Sequence, residues 1–132
     1  MYLKNLIQDA YANRFNICMV SFRGQSEGGK LVTPKLYNAL SVEDIREPMF
    51  YVKEKYLKGK AYACGCSMGA NILANYLGMY PDEGILSGAV CIQAGIKKWE
   101  GAEYFRTSLG GIYNRAMGKY QFNYLRANLD LL

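Results

Sequence analysis

The sequence predicts an α/β domain with a mostly parallel sheet and flanking helices. Short, nearly continuous apolar runs occupy 17–22, 61–66 and 86–93. A stretch of helical periodicity precedes each of them. Apolar runs that do not alternate suit strands covered on both faces, the condition of a parallel sheet. Helices and strands in strict alternation are the units that build one. At 132 residues the chain has the length of one compact domain.

The elements follow in order. Leu3, Leu6, Ile7, Ala10 and Tyr11 recur at i, i+3, i+4, i+7 and i+8, the spacing of an amphipathic helix with one apolar stripe. The run 17–22 (ICMVSF) then reads as a strand, and the loop after it contains Gly24, Gly28, Gly29 and Pro34. A second helix is predicted from Ser41, whose hydroxyl can cap it while Asp44 completes a capping box. Ile45, Met49, Val52 and Tyr56 continue its apolar face, and Pro48 inside it should kink it, at about 3 kcal/mol if the helix runs through. The run 61–66 is a second buried strand. Gly69, Ile72, Leu73, Tyr76 and Leu77 form the wide apolar face of the helix after it, with Gly78 and Pro81 as its stop. A third strand covers 86–93. From Trp99 to Leu132 the pattern loosens into two or three short helices broken by Gly110, Gly111 and Gly118. Residues 1–98 are therefore expected to form the core, with 99–132 a cap-like helical segment.

Composition narrows the function. Sixteen Lys and Arg against eleven Asp and Glu give a formal charge of +5. The tightest basic group, Lys53, Lys55, Lys58 and Lys60, suits the solvated end of a helix, so no nucleic-acid partner is expected. Cys18, Cys64, Cys66 and Cys91 sit in strand-like runs, which predicts buried free thiols in a reducing intracellular compartment. The chain has no histidine, and neither a metal nor a cofactor is expected. Its first residues show neither the apolar run of a signal peptide nor that of a membrane span.

The chemistry concentrates at Gly65-Cys66-Ser67-Met68-Gly69, a G-x-S-x-G sequence with a predicted strand before it and a helix after it. That context makes the motif a nucleophile elbow, in which a sharp strained turn lifts the serine from the carboxyl end of the sheet. Gly65 and Gly69 are expected to permit close backbone approach on both sides. The backbone N–H of Met68, opening the helix, is placed to donate to an oxyanion. Serine needs a neighbouring base, and the usual one is missing here. A second motif, Gly24-Gln25-Ser26-Glu27-Gly28-Gly29-Lys30, fits a phosphate-binding loop. Leu31 replaces its magnesium-binding hydroxyl, however, and Pro34 opposes the helix that should follow, so nucleotide binding is not expected. Cys66 should point into packing, on the face opposite its neighbour Ser67.

These residues carry a family resemblance. Phe22-Arg23-Gly24, the block from Leu31 to Ala39 (LVTPKLYNA), Glu43-Asp44-Ile45 and the elbow with its helix resemble the YheT-like branch of the α/β-hydrolases, which includes abhydrolase-domain esterases. The likeness runs from about Asn16 to about Ala94, and departs at Leu40, Pro48 and Cys66. It implies a partial α/β-hydrolase fold and a serine hydrolase cleaving carboxylic esters of lipids or acylglycerols. Ser67 matches the nucleophile, and Met68 a backbone oxyanion donor. The acid and histidine of such an enzyme fall downstream of these positions, and its His-Gly oxyanion loop upstream. The resemblance also implies that the strand between 17–22 and 61–66 is not in this chain, leaving both runs without a ladder partner. Membrane association is then expected only through segments outside these residues. The alternative reading is a catalytically dead remnant acting as a binding module.

Overall fold

In the computed structural model, which describes residues 2–26 and 30–132, the order is helix α1 (Tyr2–Ala12), helix α2 (Glu43–Lys55), strand β1 (Tyr62–Cys66), helix α3 (Met68–Met79), strand β2 (Gly88–Ile92), helix α4 (Lys98–Thr107), a 3₁₀ turn (Ser108–Gly111) and helix α5 (Ile112–Arg126). β1 and β2 pair in parallel, in register from Tyr62 opposite Gly88 to Cys66 opposite Ile92. The parallel sheet with flanking helices is the predicted one.

The core lies between the sheet, α3 and α2. Val42, Ile72, Leu73 and Tyr76 are buried there, with Phe22, Ile45, Met49, Ala63, Tyr80 and Leu86 packed around them. Ile72 is completely buried, a placement that stabilises by about 1.5–3 kcal/mol. Its helix packs on both strands and on α2. The apolar face read from Ile72, Leu73 and Tyr76 is thus the buried one, whereas Leu77 at its margin is exposed.

Three expectations about the elements need correction. The run 17–22 forms no strand: the sheet of the described residues is β1 and β2 alone. Ile17, Met19 and Val20 are exposed, and only Phe22 reaches the core. Strand geometry is made by pairing, and this run has no ladder partner among the described residues. Just before the run, Phe15 meets Tyr62 of β1 in a T-shaped contact, with ring centroids 6.3 Å apart. The cysteines are free as expected but not buried: Cys18, Cys64 and Cys91 are exposed and Cys66 is half-buried, because β1 and β2 are covered on the α3 side only.

The third correction concerns the start of α2. Ser41 does not cap it; its hydroxyl accepts the Asn38 N–H at 2.9 Å, and Val42 stands at the N-cap. Asp44 pairs instead with Arg23 (Nε to Oδ2 2.7 Å), its side chain largely covered, so the capping box does not close. The helix nonetheless runs through Pro48 to Lys55. Ile45 and Met49 pack on the core on either side of the proline and hold the helix across the missing hydrogen bond.

A polar belt locks α2 to the far end of α3. Arg46 bridges Glu83 at 2.6 Å and Glu43 at 3.2 Å, and lies over the rings of Phe50 and Tyr80. Tyr76 donates to Glu83 at 2.8 Å, and Tyr80 to Glu43 at 2.6 Å. α4, the 3₁₀ turn and α5 pack on one another and on no element of the core. Loop contacts tie them down instead. The buried Leu31 N–H donates to Asn128 Oδ1 at 3.0 Å, and Tyr124 donates to the Arg23 carbonyl at 3.0 Å.

Candidate functional site

β1 ends at Cys66 and α3 begins at Met68, so Ser67 alone makes the turn between them. Its backbone sits at φ 53° and ψ −116°, a region that costs a non-glycine residue about 1–3 kcal/mol and persists only when the surroundings enforce it. Both sides are fixed here. The Ser67 N–H donates to the Ile92 carbonyl at 2.9 Å, extending the ladder by one bond, and its carbonyl accepts the Asn71 N–H at 3.2 Å, starting the helix. The side chain is exposed and does not cap α3, so the strained turn holds the hydroxyl out at the carboxyl edge of the sheet. Met68 supplies the first N–H of α3, one of the donors a helix leaves without an internal partner.

The two motif glycines are not equivalent. A Cβ on Gly65 would stand 2.5 Å from the Gly69 carbonyl oxygen and 2.9 Å from Ala70 Cα. The turn therefore closes only over glycine. A Cβ on Gly69 would meet nothing nearer than Phe22 Cζ at 3.7 Å, an ordinary contact. The expectation that both positions need a missing side chain holds for Gly65 and fails for Gly69.

A further residue joins the site that motif reading passes over. Gln93 follows Ile92, the residue whose carbonyl takes the Ser67 N–H, and it too has a positive φ, of 56°. Two strained non-glycine residues thus stand side by side at the carboxyl ends of the two strands, where open α/β sheets bind ligands. Gln93 borders a cleft of about 330 Å³ with Leu6, Cys66 and Ile92. Cys66 faces this cleft rather than the core, against expectation, because β2 and α1 leave space beside it. The sequence signal was present: a polar residue closes an apolar run, with Ala94 and Gly95 next.

No side chain in the chain can play the usual base, since histidine is absent. Glu43, Asp44 and Glu83 are engaged between α2, α3 and Arg23, while Glu100 and Glu103 pair with Lys97 and Arg106. Hydrogen bonding holds Glu83 (to Arg46) and Glu43 (to Tyr80) below the usual carboxylate range. Among the described residues no group of three or more His, Cys, Asp or Glu side chains could hold a metal. Residues 27–29 of the phosphate-loop motif lie outside the described residues, and no helix follows Lys30.

The chain is similar to known proteins. A medium-chain fatty acid ethyl ester synthase/esterase of Saccharomyces cerevisiae is 38% identical over 81 residues, 61% of this chain and 18% of that protein. A monoacylglycerol lipase of the same yeast and the embryogenesis-associated protein EMB8 of Picea glauca are each 28% identical over 120 residues, 89% of this chain and 26% of each relative. The chain thus spans about a fifth to a quarter of the curated relatives it matches. No solved structure matches it. The family model of the alpha/beta hydrolase fold matches residues 1–101, so the chain belongs to the alpha/beta hydrolase family.

Proposed function

We propose that this chain is the nucleophile-bearing part of a hydrolase of carboxylic, lipid-type esters, with Ser67 as the nucleophile. The observation that carries the reading is the strained backbone of Ser67 between β1 and α3, over a glycine that nothing larger can replace. In the reaction the Ser67 oxygen attacks the ester carbonyl carbon and its proton passes to a base. The Met68 N–H steadies the negative oxygen of the tetrahedral intermediate. The carbon–oxygen bond to the alcohol then breaks, the alcohol leaves with that proton, and water later frees the acid from the acyl-serine. The base and its acidic partner belong to residues outside these 132. The names of the esterase and lipase relatives support the ester class, and their acyl substrates support lipid.

Covalent labelling tests the assignment. The chain, completed with a segment carrying an acidic residue and a histidine, is treated with an alkyl fluorophosphonate and the adduct mapped by mass spectrometry. An adduct on Ser67 is expected; an adduct on another residue rejects Ser67. The lack of histidine favours a second reading, a binding module without turnover. Failure of any residue to label in the completed chain, with ester still bound, would favour that one.

A further inference from the structure

Charge is segregated along this chain. From Lys97 to Arg126 there are six basic and two acidic residues, so this stretch holds +4 of the net +5. The same stretch opens with large apolar side chains in water: Ile96 is 87% exposed and Trp99 90% exposed, on either side of Lys97 and Lys98. Both follow closely on Gln93, so this rim begins at the carboxyl end of β2, beside the elbow. In α5, Arg115, Lys119, Phe122 and Arg126 recur at intervals of four, three and four and share one face. Ile112, Met117 and Phe122 of that helix are exposed as well.

Single exposed apolar residues are ordinary, but here the isoleucine and the tryptophan border one open hollow together with both lysines between them. Tryptophan with lysine is the composition of a membrane interface, where the ring sits among headgroups and the ammonium reaches anionic phosphate. The pairs Lys97–Glu100 and Arg106–Glu103 are exposed and span single helix turns, so they hold these cations weakly and leave them available. Nucleic acid would match the charge but not the aliphatic Ile96, Leu109, Ile112 and Met117 spread among it. Among the described residues no helix is long and apolar enough to cross a membrane, so contact is with a surface.

We propose that Ile96 to Trp99, with the basic face of α5, docks this protein on the surface of an anionic phospholipid bilayer. The contact would set the Ser67 edge of the sheet toward the phase that holds lipid esters, and for that purpose it rests on the reading above. It also moves membrane association from segments elsewhere onto this chain. Docking is read without turnover, so the two proposals fail separately.

Trp99 is the only tryptophan and therefore its own probe. Its emission is followed as the whole chain is titrated with vesicles of phosphatidylcholine alone, or of phosphatidylcholine with phosphatidylserine. The mixed vesicles should shift emission to the blue, brominated acyl chains should quench it, and high salt should reverse both. Lys97→Glu with Lys98→Glu should weaken binding about tenfold or more, and Ile96→Ser should weaken it with the charge unchanged. Lys53→Glu with Lys55→Glu, an equal charge change on α2, should leave it within about twofold. Circular dichroism confirms that each variant stays folded. An equal shift with neutral vesicles, equal losses in both lysine pairs, no shift at all, or a shift given only by single-stranded nucleic acid would each overturn the proposal.

Discussion

Two runs that both read as strands meet opposite fates in this chain, and the more apolar of them is the one that stays unpaired. Residues 62–66 lie in a parallel ladder, with a helix against one face and a strained serine at the end. Residues 17–22 carry Ile, Met, Val and Phe yet pair with nothing in the sheet, and expose most of what they carry. The difference teaches that local pattern sets only the capacity to be a strand. Pairing and cover come from elsewhere in the molecule, and 62–66 has them in β2 and α3. The elbow inherits its geometry from that support: the Ile92 carbonyl and the first turn of α3 hold Ser67 where an isolated chain would not.

The contrast can be broken most forcefully in the core. Ile72→Ala should cost about 2–5 kcal/mol, read as a fall in the urea midpoint. Met19→Ala in the exposed run should stay within about 0.5 kcal/mol. Equal losses would mean that 17–22 is packed after all. At the turn, Gly65→Ala should cost about 1–3 kcal/mol or more, since its methyl meets backbone that cannot yield. Gly69→Ala should be neutral, or stabilising by up to about 1 kcal/mol through helix propensity. A reversed order would remove the close-approach argument. Gln93→Gly relieves a left-handed backbone and should stabilise by about 1 kcal/mol; destabilisation would show that the Gln93 side chain holds the turn.

The smallest effect is expected in the belt between α2 and α3. Glu43 and Glu83 have folded pKa values below their ordinary 4.5. Their stabilisation is complete above that value and fades as pH falls through the depressed folded values. Tyr76 works in the other direction. Burial, then its bond to Glu83, pushes its pKa from 10.0 up to about 12, so its stabilisation is lost as pH rises through that interval. Glu83→Gln should flatten the acid limb of thermal stability against pH, and an unchanged limb would place the acid sensitivity elsewhere.

How far the sequence could be read follows the same division. Ile72, Leu73 and Tyr76 announced the buried face of α3, and the G-x-S-x-G context announced the turn at Ser67, because each depends on neighbours a few residues away. The exposure of Ile17 and Met19 was not legible, since it depends on a ladder that 17–22 does not have among the described residues. Ser41 was misread for a local reason: the Asn38 N–H takes its hydroxyl first. Gln93 stands out in the sequence as the polar end of an apolar run, but its place beside Ser67 follows only from the pairing of β1 with β2. The positive stretch from Lys97 to Arg126 was hidden because its cations are spread out, while the tightest lysine cluster straddles the end of α2.

The most direct measurement is ester turnover by the chain completed with an acid and a histidine, compared with its Ser67→Ala variant. Hydrolysis of a medium-chain ester should fall by about a thousandfold or more in the variant, while its circular dichroism stays unchanged. The 132-residue chain without those additions should show background hydrolysis only. Turnover that survives Ser67→Ala, or strong Ser67-dependent turnover in the unextended chain, would contradict the nucleophile assignment or the missing base respectively.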